Sequence, residues 1–363
     1  MCGARPQGMS ALRVGVVGPG AVGTFAGAVL GSASADITMV GRREVSEGHG
    51  PLVALDGART WEAARARWTL DIADIARVDV VLVAVKAGDT DQVATALAAV
   101  LPSSTPVVSL QNGLSSATRL AHRLGKRVAR GVVGFNVRLE GPGRARKTTR
   151  GSVLVGELAP PYTEPVRELA RCFERARVAL SVVPDIEERA LGKLLVNLNN
   201  GVCAATGLSI AESISDDDAR RVYARCIEEG LEIMRRRGLR PRAVGSVSPA
   251  VLARVLRLPG SLVRPLLRVF GRVDPEARSS TLDDLERGRA TEIDDLSGAI
   301  VAMAARSGAR APVNETIAGI VRRHEARARE GRDPLWISAR ELSARVEPAR
   351  GWAPLTEPTT RKR

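Results

Sequence analysis

The chain has 363 residues, which is enough for two domains that each bury a hydrophobic core. Its apolar content of 44% and charged content of 26% are typical of globular proteins, and apolar runs such as residues 80–85 are far too short to span a bilayer. The net charge of +14 raises nucleic acid or an anionic membrane as a partner. Because the basic residues are spread along the chain and aromatic residues make up only 3%, neither partner is expected.

Cysteine and histidine spacing argues against a disulfide framework and a metal site. The four cysteines form no C-x-x-C pair, which favours a reduced, cytoplasmic setting: Cys2, Cys172, Cys203 and Cys226. The three histidines lack the spacing of zinc ligands: His49, His122 and His324. Residues 1–11 are interpreted as a flexible leader rather than a signal peptide, with Met9 as an alternative start.

The first half of the chain alternates strand and helix patterns. The run at 78–85, VDVVLVAV, is continuously apolar, as in a strand covered on both faces of a parallel sheet. Strands are predicted at 14–17, 36–40, 68–72, 78–85, 106–110 and 179–183, and helices at 24–30, 89–101, 114–124 and 163–177. Further strands, expected to form antiparallel hairpins that close the sheet, are predicted at 127–138, 145–149 and 152–156. This βαβ order predicts an α/β, Rossmann-type domain with a mostly parallel sheet over residues 12–184.

After Pro184 only helical spacing is found, which predicts an all-α domain over residues 185–330. Its helices are predicted at 185–206, 216–237, 277–288, 291–307 and 312–329. Residues 241–275 interrupt them and contain an amphipathic basic stretch, VLARVLRLPGSLVRPLLRVF. A membrane-surface or partner-binding segment is one interpretation, and a lid or packing insertion is preferred. The Pro-rich tail, 331–363, is expected to be largely mobile.

A glycine motif follows the first predicted strand directly and opens the first helix. Gly18 allows a tight turn, Gly20 lets the backbone approach a pyrophosphate, and Gly23 lets the helix pack closely on the strand. The N–H groups and the dipole at the helix start favour phosphate. The motif therefore predicts a dinucleotide site at six consecutive residues: Gly18, Pro19, Gly20, Ala21, Val22 and Gly23.

The residues after the second strand indicate which dinucleotide binds. An NAD enzyme usually places a carboxylate there for the ribose 2′-OH, whereas this chain has Arg42 and Arg43. Guanidinium groups bind a 2′-phosphate in fork geometry, so NADP(H) is predicted. Glu44 keeps NAD open, and solvated loop charges are the alternative interpretation of both arginines.

Polar residues also follow two later strands and line one face of a predicted helix. Lys86 and Asn112 come just after the strands at 78–85 and 106–110, at the sheet edge where ligands of α/β proteins bind. On the helix predicted at 185–206, spacings of i, i+4 and i+7 put Lys193, Asn197 and Asn200 on one stripe, which suits a polar pocket. An ordinary exposed polar face is the alternative.

The order of these motifs resembles ketopantoate reductase (2-dehydropantoate 2-reductase). G-x-G-x-x-G, V-K-A, Q-N-G, K-L-x-x-N and S-S-x-x-x-D-x-x-x-G-R-x-T-E-I-D follow one another between residues 12 and 325. The resemblance implies a Rossmann domain joined to a helical domain, with the active site in the cleft between them. It also implies NADPH-dependent reduction of 2-dehydropantoate to (R)-pantoate, a step towards pantothenate and coenzyme A.

The resemblance implies a role for each matching residue. Lys193 is the catalytic lysine that donates a proton to the ketone oxygen, and Glu292 orients it and holds substrate. Asn112 contacts cofactor and substrate, Lys86 lies beside the cofactor, and Arg42 binds the 2′-phosphate. Glu292 is counted among the cofactor contacts as well. From the sequence alone, a carboxylate in the first turn of a helix is the simpler interpretation of Glu292.

Substrate binding is where the chain departs from the family pattern. By the resemblance, Asn197 binds a substrate hydroxyl and Ser280 binds the substrate carboxylate. Gly201 stands where the family often has a second asparagine, for which Asn200 is interpreted as a substitute, and Leu191 replaces a tryptophan. These changes keep two alternatives open: a reductase of another small 2-oxo acid or opine-type imine, and a non-catalytic NADP-binding sensor. The sequence leaves the oligomeric state open, with a homodimer as one option.

Overall fold

A computed structural model describes residues 11–41, 50–245, 247–263 and 278–346 of the chain. The chain divides into two compact units, Met1–Glu187 and Glu188–Arg363. The sequence-based boundary after residue 184 lies close to this division. The first unit is built on β-sheet and the second, over its described residues, is helical, which confirms the predicted fold class.

The first unit contains a twisted sheet of eight strands in the order β12-β11-β8-β7-β6-β1-β2-β5. Six of the strands run parallel, while β11 and β12 run in the opposite direction. The strands are β1 (Arg13–Val17), β2 (Asp36–Val40), β5 (Arg67–Thr69), β6 (Val80–Val83), β7 (Val107–Ser109), β8 (Val128–Val133), β11 (Val153–Gly156) and β12 (Leu180–Val183). Its helices are α1 (Ala21–Ser32), α2 (Thr90–Val100), α3 (Ser115–Leu124) and α4 (Thr163–Arg175). The central strand β6 is buried along its whole length, as its apolar run predicts.

A second sheet covers α1 and was not predicted from the sequence. It has the order β4-β3-β10-β9, and its strands are β3 (Leu52–Asp56), β4 (Arg59–Ala63), β9 (Val137–Gly141) and β10 (Arg144–Lys147). Helix α1 packs between the two sheets, which explains why its residues from Gly23 to Leu30 are all buried. A side chain at Gly27 would come within 2.8 Å of Leu52, so this glycine lets the second sheet approach.

The prediction that residues 127–138, 145–149 and 152–156 close the main sheet as antiparallel hairpins was confirmed for β8 and β11, which pair antiparallel there, and was wrong for β9 and β10. The first stretch forms two strands in different sheets, because the chain leaves β8 at Gly134 and enters β9 at Val137. Phe135, at the crossing, packs edge-on against Phe25 of α1 with ring centroids 5.2 Å apart. Burial of this aromatic pair against α1 directs the chain out of the main sheet.

The second unit is helical throughout its described residues. Its helices are α5 (Ile186–Asn197, which begins in the first unit), α6 (Asn199–Thr206), α7 (Ile210–Ser215), α8 (Asp217–Arg236), α9 (Pro249–Leu256), α10 (Ser280–Glu286), α11 (Ser297–Ala305), α12 (Pro312–Arg329) and α13 (Ala339–Val346). Glu229 of α8 is buried and accepts hydrogen bonds from the backbone N–H groups of Val313 and Asn314 at 2.9 Å each. This carboxylate therefore caps the start of α12 from a neighbouring helix.

The single helix predicted over 185–206 is two helices. The α-helix is interrupted at Leu198. Here Leu198 N–H donates to Leu195 C=O and Gly201 N–H donates to Leu198 C=O, so each bond reaches back three residues instead of four. The helical repeat is tightened there because Leu198 is fully buried and the Asn199 side chain donates to Ser213 Oγ at 2.9 Å. Lys193 and Asn197 therefore lie on α5 and Asn200 lies on α6, so the prediction of one continuous helix was wrong.

The tail was predicted to be largely mobile, and its first part is instead ordered. Leu342 and Val346 of α13 are buried against the second unit, and α13 packs on α8. Ahead of it, Trp336 lies against Gly207 and meets His324 edge-on, with ring centroids 5.2 Å apart. These apolar contacts explain why a Pro-rich segment adopts one path.

Some sequence-based interpretations lie outside the described residues. These are the leader at 1–10, the two arginines that follow β2, the last part of the 241–275 segment, and the tail beyond Val346. Across the described residues, none of the helices has the length and apolar character that a membrane crossing requires.

Candidate active site

The glycine loop at the carboxyl end of β1 has the geometry of a dinucleotide cradle. Gly18 has a φ of +104°, and a side chain on it would come within 2.7 Å of the backbone of Ala84 and Val85. A side chain on Gly23 would overlap the Gly18 carbonyl oxygen. Gly20 faces open space, with no atom within 4 Å of where its Cβ would stand. Two glycines therefore hold the turn against the sheet, and the third leaves room for an incoming group.

The start of α1 presents backbone donors beside that open space. Gly20 is the N-cap of α1 and has no side chain to occupy the first N–H groups, those of Ala21, Val22 and Gly23. Thr24, fully buried, donates its hydroxyl to Pro19 C=O at 3.2 Å and its N–H to Gly20 C=O at 2.9 Å. The residues present fit a pyrophosphate at this helix start. Arg42 and Arg43 lie outside the described residues.

The next two strands of the sheet end close to one another. Lys86 is exposed and follows β6, while Asn112 is partly buried and follows β7. Gln111 joins the two ends: its amide donates to Val85 C=O at 3.2 Å and to Thr90 Oγ1 at 2.9 Å. Gln111 was part of the Q-N-G motif but was not predicted as a site residue. Its place immediately after a buried strand is the only sequence signal for this role.

The second unit holds Lys193 beside Glu292. Lys193 lies in the middle of α5 and is mostly buried, and Glu292 precedes a short 3₁₀ turn at Ile293–Asp295. Burial lowers the pKa of Lys193 to about 8, against the opposing effect of the Glu292 carboxylate, which raises it. An amine with a pKa near neutral pH can both hold and release a proton under ordinary conditions. Thr291, the residue before Glu292, accepts a hydrogen bond at its hydroxyl oxygen from Ile293 N–H at 3.2 Å.

The predicted substrate residues fall on α5, α6 and α10. Asn197 is the last residue of α5, and Asn200 lies in the first turn of α6. The Asn200 amide donates to Ser280 Oγ at 3.5 Å, and Ser279 Oγ donates to Asn200 C=O at the same distance. The structure thus brings Asn200 and Ser280 together. The side-chain amide of Asn200 and the hydroxyl of exposed Ser280 form a small polar surface.

Gly201 faces the interior of the second unit rather than that polar surface. A side chain on Gly201 would come within 2.7 Å of Ile317 and 3.2 Å of Ile293. An asparagine at this position would need both isoleucines to move. This packing explains why Asn200, and not position 201, carries the amide next to Ser280.

The start of the 241–275 segment is held against α5. Arg242 N–H donates to Glu188 C=O at 2.8 Å, and Arg189 donates to Ala243 C=O at 2.6 Å. A side chain on Gly192 would overlap the Arg242 carbonyl, so this glycine lets the segment approach α5 one residue before Lys193. The segment continues into α9, which packs on α8. No grouping of residues that suits a metal ion occurs in the part of the chain that the structure describes.

A glycine cradle on a Rossmann-type sheet, joined in one chain to a helical unit with a lysine–glutamate pair, is an arrangement of nicotinamide-dependent oxidoreductases. The model of the family described as ketopantoate reductase PanE/ApbA matches residues 14–160, and the model of its C-terminal domain matches residues 185–325. The chain belongs to the ketopantoate reductase family, which confirms the resemblance drawn from the motifs.

Individual relatives span almost the whole of this fold. A 2-dehydropantoate 2-reductase of Archaeoglobus fulgidus is 29% identical over 315 residues, covering 86% of this chain and 98% of the relative. The crystal structure of a ketopantoate reductase from Ralstonia eutropha JMP134 superposes with a TM-score of 0.73 at 27% identity, covering 87% of this chain and 99% of that one. D-mandelate dehydrogenase, solved with NADH and anilino(oxo)acetate, shares the fold at 19% identity, with a TM-score of 0.71 and coverage of 87% and 99%.

Proposed function

We propose that this chain reduces 2-dehydropantoate to (R)-pantoate with NADPH, the reaction of pantothenate and coenzyme A biosynthesis. The observation that carries the proposal is the amine of Lys193, buried next to Glu292 with a pKa of about 8. Family membership supplies the reaction class. When bound, NADPH supplies a hydride to the carbonyl carbon of the substrate.

In this proposal each group has a distinct task. Protonated Lys193 hydrogen-bonds the ketone oxygen and gives it a proton as negative charge develops there. Glu292 keeps the amine protonated and oriented. Asn197 binds the substrate hydroxyl, and Ser280 with Asn200 binds the carboxylate. The loop at Gly18–Gly23 holds the pyrophosphate, flanked by Lys86 and Asn112.

The direct test is NADPH oxidation by the purified protein with ketopantoate. Lys193→Ala is expected to retain NADPH binding and to lose about 10²- to 10⁴-fold in kcat, the contribution of a positioned general acid. Lys126, which is exposed in the first unit, gives the matched control, Lys126→Ala, with unchanged turnover. Near-normal turnover of Lys193→Ala would refute the assignment, and a wild-type protein that binds NADPH without turnover would support the sensor alternative.

The preference for NADPH over NADH rests on Arg42 and Arg43, which come one residue after the end of β2 in the sequence. Replacing both with serine removes the charge-assisted hydrogen bonds to a 2′-phosphate, each worth about 1.5–3 kcal/mol. We expect kcat/KM for NADPH to fall at least tenfold while the value for NADH changes little. Equal losses with both cofactors would contradict NADP specificity.

A reductase of another small 2-oxo acid is the second candidate. It is favoured by one observation: Gly201 is packed against Ile317, so the second asparagine of the family pattern is replaced by Asn200 at a different place on α6. Comparing kcat/KM for ketopantoate with the values for other branched 2-oxo acids and for an opine-type imine separates the candidates. A value for ketopantoate below that of another acid would assign the chain to that substrate.

A further inference from the structure

Arg130 is a buried arginine in β8 to which neither the motifs nor the proposed chemistry assigns a role. The residue is 8% exposed, and its guanidinium lies beneath the loop that follows β7. It donates to Leu114 C=O at 3.0 Å and to Gly113 C=O at 3.5 Å, and it reaches Thr118 Oγ1 of α3 at 3.4 Å. Its Nε donates to Glu187 Oε1 at 2.9 Å.

These contacts act on the backbone directly after Asn112. Gly113 has a φ of +79°, so the chain turns there before α3 begins at Ser115. On the other side of Asn112, Gln111 is bonded to Val85 C=O and Thr90 Oγ1. The loop is thus held on both sides of Asn112, before it by Gln111 and after it by Arg130.

We propose that Arg130 is a positioning residue for Asn112. Its guanidinium fixes the carbonyl groups of Gly113 and Leu114, and through them it sets the place of the Asn112 amide relative to the nicotinamide and the 2-oxo acid. This inference rests on the proposed function, in which Asn112 contacts both. A planar guanidinium with five donors in fixed directions can hold two carbonyls, a hydroxyl and a carboxylate at once, whereas a lysine ammonium, with three donors, can hold only some of them.

The chain offers a matched control in Arg127. This residue is 6% exposed, immediately precedes β8, and also donates to backbone carbonyls, those of Leu101 and Pro102. Its partners lie at the opposite, amino-terminal end of β8, away from the Asn112 loop. Arg127→Met therefore removes a buried guanidinium beside the same strand without touching that loop.

The experiment compares Arg130→Met, Arg130→Lys and Arg127→Met in the full-length protein. Each is assayed for melting temperature, Kd for NADPH, and kcat and KM with ketopantoate. For Arg130→Met we expect kcat to fall about 10- to 100-fold, the usual cost of misplacing a reacting-site group by about 1 Å. The Kd for NADPH should change less than about threefold, because the glycine loop carries the phosphate contacts. Arg130→Lys should recover part of kcat.

The outcomes separate positioning from general stability. If Arg127→Met matches Arg130→Met in melting temperature and keeps wild-type kcat, Arg130 acts through the loop. Equal kcat losses in both variants, or no recovery with lysine, would overturn the proposal. If Arg130→Met fails to fold, the same comparison of melting temperature and kcat is made between Arg130→Lys and Arg127→Lys.

A second readout distinguishes failure of this inference from failure of the proposed function. The fluorescence of bound NADPH reports on the surroundings of the nicotinamide and needs no turnover. We expect its emission to shift in Arg130→Met and to be unchanged in Arg127→Met. If the wild-type protein binds NADPH but does not reduce ketopantoate, the substrate assignment fails, and the emission comparison alone decides whether Arg130 positions the loop.

Discussion

At the residue scale, the protonation of Lys193 follows from two opposing contacts. Burial favours the neutral amine, and the Glu292 carboxylate favours the charged one, with a resulting pKa of about 8. Proton donation needs the charged form. We therefore expect kcat/KM for reduction to be level below pH 8 and to fall about tenfold per pH unit above it, while the reverse oxidation rises through the same range.

Replacing Glu292 tests the same pair. Glu292→Gln removes the carboxylate that raises the pKa of Lys193, so the alkaline limb of the pH profile is expected to move to lower pH. The control is Glu325→Gln, because Glu325 accepts a hydrogen bond from Thr291 N–H at 2.7 Å, next to Glu292. A pH limb that stays in place in Glu292→Gln and moves in Glu325→Gln would contradict the pairing of Lys193 with Glu292.

At the scale of elements, substitutions at two glycines of the glycine loop are expected to affect cofactor binding and folding separately. Gly20→Ala puts a methyl group into open space at an ordinary φ of −74°, so we expect little loss of stability. We also expect NADPH affinity to fall about 10- to 100-fold, because the methyl group occupies the approach of the pyrophosphate and displaces its backbone hydrogen bonds.

Gly23→Ala should show the reverse pattern. Its methyl group would overlap Gly18 C=O and force α1 away from β1, at an expected cost of about 1–3 kcal/mol in the free energy of unfolding. Urea unfolding and NADPH titration of the two alanine variants measure both quantities. If Gly23→Ala were as stable as the wild-type protein, α1 would not depend on this close approach.

Strands and helices could be predicted from the sequence where their apolar residues repeat with the regular spacing of one strand or one helix. The strand Asp36–Val40 and the helix Pro312–Arg329 have their predicted bounds, because their apolar residues repeat as a strand and a helix do. The β3–β4 hairpin was missed although Asp56-Gly57, with Gly57 at a φ of +60°, is a hairpin turn signal. The break at Leu198 left no such signal, since it arises from contacts with Ser213 on another helix.

At the scale of the whole molecule, the division at Glu187 and Glu188 predicts unequal responses to the cofactor. The proposed dinucleotide cradle belongs to the first unit, so NADPH should stabilise that unit more strongly. At 100 times its Kd, a ligand that binds only the folded form adds about 2.7 kcal/mol. In hydrogen exchange, we expect NADPH to slow exchange at residues 12–41 more than at 297–346.

Gly20→Ala is the internal control for that measurement. With weakened binding, the same NADPH concentration should leave exchange at 12–41 near that of the free protein. Slower exchange in the second unit alone would contradict a cofactor site on the glycine loop.

The amino-acid sequence by itself determined the class of fold, the glycine loop and the family. Each depends on residues close together in the chain, whose spacing fixes the local backbone, or on the order of short motifs. Only the tertiary structure decided that α1 lies between two sheets, that Asn200 rather than position 201 meets Ser280, and that Arg130 holds the loop after Asn112. These depend on contacts between residues far apart in sequence, for which the packing of whole elements sets the geometry.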